Sequence, residues 1–223
     1  MSQQAVSRLP RVLAYIVGIC GVVMLVCGIG VYAAASAELS TQHITVASYN
    51  EGSDGTLNGP EAGKPMAGPF TALSQIYDIS HHLQQASQTA TGGQKDSTTG
   101  VVTGGDPNVT YGTAPSITLD SQGNCTNAVA QWTDPAGMGT VQCDKGGPLQ
   151  TTGSINGQAI AGLRSTQTTG SFLISSLFVS VLAFGVSTVV AAVGVLFLLM
   201  AIVALRLMGK SRRDGDKADA AQA

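Results

Sequence analysis

The histidines are the residues whose type and spacing come nearest to metal chemistry. His81 and His82 are adjacent, Asp78 lies one helical turn before His82, and His43 is elsewhere in the chain. On a helix, Asp78 and His82 share a face at i and i+4, whereas His81 and His82 point about 100 degrees apart. A metal site on a helix favours two histidines on one face. The pattern therefore favours packing, or capping near a helix C-terminus, and we expect neither a metal site nor a cofactor.

Other catalytic patterns do not occur in the sequence. The glycines at 52–55 and 146–147 are typical of turns, because no Lys-Ser/Thr pair and helix follow them as in a phosphate-binding loop. No nucleophile-elbow sequence marks a serine. The two long apolar runs contain no charged residue, whereas ion and proton paths usually need one inside the membrane. We therefore expect a protein that is neither an enzyme nor a transporter.

Charge-free runs at the two ends of the chain predict membrane-spanning helices. The composition is 44% hydrophobic and only 11% charged, which is apolar for a soluble protein. Residues 12–35 form a run that would be about 36 Å long as a helix, enough to cross a hydrocarbon core of about 30 Å. The competing interpretation is a secretory signal peptide, since Arg8 and Arg11 precede the run and Ala35-Ser36-Ala37 looks like a cleavage site. The run exceeds the roughly 7–15 apolar residues of a signal peptide, which favours a retained helix.

The second run, residues 170–205, would be about 54 Å long and is too long for one bilayer. We expect Phe172 to Phe178 to begin in the outer interface or the outer domain, with the embedded part at about 179–205. Lys and Arg cluster before the first run and after the second, which places both termini in the cytoplasm. The net charge of -2 argues against a nucleic-acid partner.

These spans define a plasma-membrane protein with two transmembrane helices and an inserted extracytoplasmic α+β domain. Its segments are a cytoplasmic N-terminus (1–11), the first span (12–35), the outer domain (36–169), a long helix that contains the second span (170–205) and a cytoplasmic tail (206–223). Within the outer domain, apolar periodicity predicts an amphipathic helix at 70–86. Short β-type runs occur at 44–46, 116–119, 128–132 and 139–142. The Thr- and Gly-rich stretch 89–105 is expected to be loosely ordered.

The cysteines fall into two pairs. Cys125 and Cys143 lie in the segment predicted to be exported, where an even pair indicates a disulfide, here closing a loop of 17 intervening residues. The alternative is a metal pair that lacks its other ligands. Cys20 and Cys27 lie within the first apolar run and are expected to pack as small hydrophobes, although palmitoylation and an interhelical contact stay open.

Small residues recur on one face of each apolar run and are the candidate helix-packing residues. In lipid, helix association depends on close packing, which small side chains permit. The two stripes would therefore face each other or face helices of a larger complex, unless they only reflect how common small residues are in membrane helices. The candidates are Gly18, Gly21 and Gly28 in the first run and Ser176, Ser180, Ala183, Ser187 and Ala191 in the second.

Several segments resemble a family of small actinobacterial membrane proteins with two helices. They are ITV at 44–46, GKPMAGPF at 63–70, QI at 75–76, ISHH at 79–82 and SFLISSLFVSVLAFGV at 171–186. Members of that family commonly carry the label aromatic ring-opening dioxygenase. A non-haem iron oxygenase needs two His and a carboxylate that converge, and a chain with three His, two of them adjacent, does not fit that label.

Two hypotheses follow from the resemblance and the spans. The first is a non-catalytic accessory subunit of a larger membrane assembly, with the actinobacterial cytochrome bcc-aa3 respiratory supercomplex as the leading candidate, because such assemblies gather small subunits of this kind. Its partners would be membrane lipid and other integral membrane subunits. The second is an independent cell-envelope protein that binds or senses a ligand.

Overall fold

The computed structural model describes residues 3–46, 61–98 and 100–220, with side chains for 10–46, 61–98 and 100–210. The glycines at 52–55 lie outside the described residues. The chain forms two compact units, Met1–Thr41 with Val181–Ala223, and Gln42–Ser180. The helices are α1 (Gln3–Thr41), α2 (Pro69–Ala90) and α3 (Gly157–Ala220), and the strands are β1 (Gln94–Lys95), β2 (Val102–Thr103), β3 (Val129–Thr133), β4 (Thr140–Cys143) and β5 (Leu149–Thr151).

Two helical segments are long and apolar enough to cross a membrane, Pro10–Thr41 and Gly157–Lys210. Both are longer than the predicted spans of 12–35 and 170–205. At the end of α1 the Ser40 and Thr41 hydroxyls donate to the carbonyls of Ala37 and Glu38, so polar residues complete the last turn. The structure thus supports two helices compatible with membrane insertion and a small α+β region between them.

The start of α3 differs from the sequence-based boundary at residue 170. The helix begins at Gly157, where the Asn156 side chain accepts a hydrogen bond from the Ala159 N–H over 3.1 Å as an N-cap. Ile160, Leu163 and Gln167 are buried at i, i+3 and i+7, the spacing of one helix face. The first turns of α3 therefore belong to the core of the second unit.

Helix α2 agrees with the amphipathic segment predicted at 70–86. Gly68 is extended at its N-cap and Pro69 follows at the first position, where a missing N–H costs nothing. The Thr71 hydroxyl accepts the Gly68 N–H over 3.1 Å. At the other end, Gly92 has a φ of +100°, a left-handed conformation that turns the chain out of the helix.

The strands form two small antiparallel sheets, β1–β2 and β3–β4–β5. Strands β3 and β4 lie within two residues of the runs predicted at 128–132 and 139–142. The runs at 44–46 and 116–119 contribute only isolated bridges, Thr45 to Pro65 and Leu119 to Cys125.

The stretch 89–105, expected to be loosely ordered, contains β1 and β2. The Asp106 N–H donates to the Thr91 hydroxyl over 2.6 Å, and the Gly93 N–H donates to the Gln88 carbonyl over 2.7 Å. These bonds anchor both ends of the β1–β2 segment on the end of α2.

The core of the second unit lies between the three-stranded sheet and the ends of α2 and α3. Its largest buried side chains include Val109, Val141, Ile160 and Leu163. Cys125 and Cys143 are part of this cluster and are joined by a disulfide, with their Cα atoms 5.7 Å apart. The predicted disulfide is confirmed.

Candidate functional site

The first unit contains a seam in which α1 and the second part of α3 pack through small residues. On each helix, small residues at seven-residue intervals are buried, namely Ala14, Gly21 and Gly28 on α1 and Ser187, Gly194 and Ala201 on α3. A seven-residue repeat keeps one seam facing the partner helix along its whole length, as in coiled coils. The seam is therefore a continuous packing surface.

Glycines bring the two backbones of the seam into direct contact. A methyl group added at Gly28 would lie 2.7 Å from both the Ser187 carbonyl oxygen and the Ala191 nitrogen. One added at Gly21 would lie 2.8 Å from the Gly194 carbonyl oxygen. Because these neighbours are backbone atoms, no side-chain rotation can make room.

The candidate packing residues divide between the two units. Gly18, Gly21, Gly28, Ser187 and Ala191 lie at the seam, and a methyl at Gly18 would stand 3.3 Å from the Ala201 Cβ. Ala183 is half-buried on the same stretch of α3.

Ser176 and Ser180 lie in the second unit instead. The Ser180 hydroxyl donates to the Ser176 carbonyl over 3.2 Å, the local bond that serine often makes inside a helix.

An aromatic pair lies at one end of the seam and is not part of the small-residue pattern. Tyr32 and the buried Phe184 have ring centroids 4.9 Å apart at an interplanar angle of 64°, an edge-to-face arrangement. Phe184 lies three residues before Ser187, and Tyr32 four after Gly28, so extending the repeat with large residues would have found both. Cys20 and Cys27 are exposed on α1, so within this chain they do not pack as the small buried hydrophobes that the sequence predicts.

The histidines lie in the middle of α2 rather than near its C-terminus, which removes the expected capping role. Burial lowers the pKa of His82, and this effect outweighs the nearby Asp78 carboxylate, which acts to raise that pKa. Among the described side chains, those of residues 10–46, 61–98 and 100–210, no three His, Cys, Asp or Glu groups converge as metal ligands. His82 instead borders a shallow groove of about 370 Å³ between α2 and α3, together with Leu83, Thr169 and Leu173.

A buried glutamine holds α2 against α3 beside this groove. The two N–H groups of the Gln167 Nε2 atom reach three acceptors, one of the N–H groups being shared: the Ser87 hydroxyl over 2.8 Å, the Val109 carbonyl over 3.0 Å and the Leu83 carbonyl over 3.2 Å. A buried amide that satisfies several partners fixes a single relative position of the elements it joins. The register between α2 and α3 is thereby set.

Comparison with protein families, with characterised proteins and with solved structures gives no match to this chain. The described fold defines a class of protein with two candidate spans, packed through a small-residue seam, and a disulfide-bonded α+β unit between them. The family resemblance stays a prediction that rests on the quoted segments.

Proposed function

We propose that this protein is a non-catalytic accessory subunit of a larger membrane assembly. The observation that carries the proposal is the exposed apolar surface of the helix pair. Because the glycines of the seam pack the small-residue faces of α1 and α3 against each other, the pair presents only its outer surface to its surroundings. That surface is aliphatic, with exposed side chains such as Ile19 on α1 and Val189 on α3. Such a pair can be held in lipid or against other membrane helices by packing.

The assembly we propose is the actinobacterial cytochrome bcc-aa3 respiratory supercomplex. The support for this choice is the resemblance of segments 63–70 and 171–186 to the family of two-helix actinobacterial proteins. The role proposed is structural, in which the membrane pair anchors the chain and the disulfide-bonded unit covers a partner outside the membrane. No bound cofactor is needed for it.

Mild-detergent extraction of tagged protein, followed by native gel electrophoresis and mass spectrometry, tests this function. We expect the tagged chain to comigrate with haem-containing subunits of the respiratory assembly. A tagged envelope protein with a single membrane span, expressed at the same level, serves as the control and should migrate alone. If this chain also migrates as a lone small species, the subunit proposal fails and the independent envelope protein becomes the better hypothesis.

Topology gives a second prediction, that the outer domain (36–169) lies on the outer side of the membrane and both termini lie inside. In a background carrying Cys20→Ala and Cys27→Ala, a membrane-impermeant thiol reagent added to intact cells should label a Ser97→Cys variant and miss a Ser211→Cys variant. Ser97 is exposed between β1 and β2, and residue 211 follows Lys210 in the basic segment that the positive-inside rule retains in the cytoplasm. The reverse labelling pattern would overturn the orientation.

A further inference from the structure

Helix α2 exposes an apolar stripe over its first half only. Phe70, Leu73 and Tyr77 lie at i, i+3 and i+7 and so share one face. Phe70 is 73% exposed and Tyr77 is 72% exposed. Seven residues beyond Tyr77, the same face presents Gln84, which is also exposed. The stripe therefore changes from apolar to polar along the helix, between Tyr77 and Gln84.

Helix α3 makes the same change within the second unit. Its exposed residues are first polar, as at Ser165 and Thr169. From Phe172 onward large apolar side chains are exposed, with Phe172 72% and Val179 66% exposed. Exposed serines lie among them, and the Ser175 hydroxyl is satisfied within the helix, donating to the Ser171 carbonyl over 2.8 Å. No charged residue occurs in α2 from Pro69 to Tyr77 or in α3 from Gly170 to Ser180.

The two changes from polar to apolar occur at nearly the same height along the helix axes. This height can be compared because α2 and α3 are antiparallel and in contact there. A methyl added at Gly170 would lie 2.5 Å from a Leu83 methyl carbon, and Gln167 donates to the Leu83 carbonyl over 3.2 Å. Leu83 and Gly170 thus mark one level. At a rise of about 1.5 Å per residue, Tyr77 lies about 9 Å beyond that level on α2, and Phe172 about 3 Å beyond it on α3.

We propose that this apolar face, defined as Phe70, Leu73 and Tyr77 of α2 with Phe172, Phe178 and Val179 of α3, is immersed in the lipid of the adjoining leaflet. The first half of α2 then enters the interfacial region of the bilayer alongside α3, and the membrane surface crosses the second unit between Tyr77 and Gln84. The inference rests on the proposed membrane insertion of α3.

Lipid fits this face better than a folded partner does. A protein interface can cross helices at any angle, whereas a bilayer requires neighbouring helices to change polarity at one level, as α2 and α3 do. The face contains aromatic residues and no charge, and Tyr77 lies at its polar edge, where amphipathic rings are enriched at membrane interfaces. An exposed apolar patch of this kind marks an interaction site.

Spin labelling of the full chain in phosphatidylcholine vesicles tests the inference, in the background lacking Cys20 and Cys27. Labels at Tyr77→Cys and Phe172→Cys should collide several-fold more with oxygen, relative to a water-soluble nickel complex, than labels at Gln84→Cys and Ser165→Cys. Each control lies seven residues away on the same helix face. A fifth label at Val186→Cys, an exposed position of the first unit, reports insertion itself.

The outcomes separate the two proposals. If Val186→Cys does not favour oxygen, membrane insertion fails. If Val186→Cys favours oxygen while Tyr77→Cys and Phe172→Cys favour nickel, insertion stands and the immersion of the apolar face is wrong. Labels at Tyr77 and Phe172 that face water in vesicles, but lose contact with both reagents in native membranes, would make this face a protein-docking surface and overturn the lipid assignment.

Discussion

Adding a single methyl group at Gly28 is expected to destabilise the packing of α1 on α3 by about 1–3 kcal/mol, the usual cost of overpacking a tight interface. The reason is geometric. The new carbon would lie 2.7 Å from backbone atoms of Ser187 and Ala191, so the helices must separate to admit it. SDS titration of the full chain in mixed micelles, read by energy transfer between dyes on α1 and α3, measures the loss.

Gly30→Ala is the matched control, because it makes the same chemical change two residues further along α1. Nothing lies within 4 Å of a methyl at Gly30, so this variant should unfold at the same SDS concentration as the parent or slightly higher. Gly18→Ala should be intermediate, since its methyl would meet only the Ala201 Cβ at 3.3 Å. Equal behaviour of Gly28→Ala and Gly30→Ala would mean that the seam does not hold the pair together.

The sequence predicts which faces of the two helices form the seam, but it does not predict how the helices are offset along it. Charge-free runs locate both helices, and small residues identify the packing faces, because in lipid these residues alone allow close approach. The pairing of Gly28 with Ser187 and Ala191, and of Gly21 with Gly194, depends on how the two helices are offset. No local feature of either run encodes that offset. The predicted small-residue face therefore also includes Ser176 and Ser180, although these two residues lie in the other unit and not at the seam.

The second unit was harder to predict because long-range hydrogen bonds order its polar segments. The start of α3 at Gly157 was missed, since residues 157–169 contain few apolar residues, although Ile160 and Leu163 are at helical spacing. Similarly, β1 and β2 lie in Thr- and Gly-rich chain that is held by Thr91 and Asp106. The spacing of Phe70, Leu73 and Tyr77 in the sequence predicts the apolar face of α2. That this face lies at the same height along the helix axes as Phe172 of α3 follows only from the contact of Leu83 with Gly170.

Removal of the disulfide should have the largest effect on the second unit. Cys125 and Cys143 are 18 residues apart in sequence, and a cross-link of this size stabilises a fold by about 3 kcal/mol in the chain-entropy model. The unit has a small core, and small cores depend strongly on such links. The double variant Cys125→Ala with Cys143→Ala should therefore lower the unfolding midpoint of this unit and increase its proteolysis in intact membranes.

Part of the local structure around the disulfide should survive its removal. The second unit should therefore lose stability by a measurable amount rather than unfold completely. The Cys125 N–H donates to the Gly147 carbonyl over 2.8 Å, and the Gly146 N–H donates to the Cys125 carbonyl over 2.7 Å. These bonds do not need the sulfur atoms.

The matched control is Cys20→Ala with Cys27→Ala, which removes two exposed thiols from α1 and should leave the midpoint of the second unit unchanged. Mass spectrometry of freshly isolated, unreduced protein should show the peptides containing Cys125 and Cys143 linked, and two free thiols at these positions would contradict the disulfide and the stabilisation derived from it.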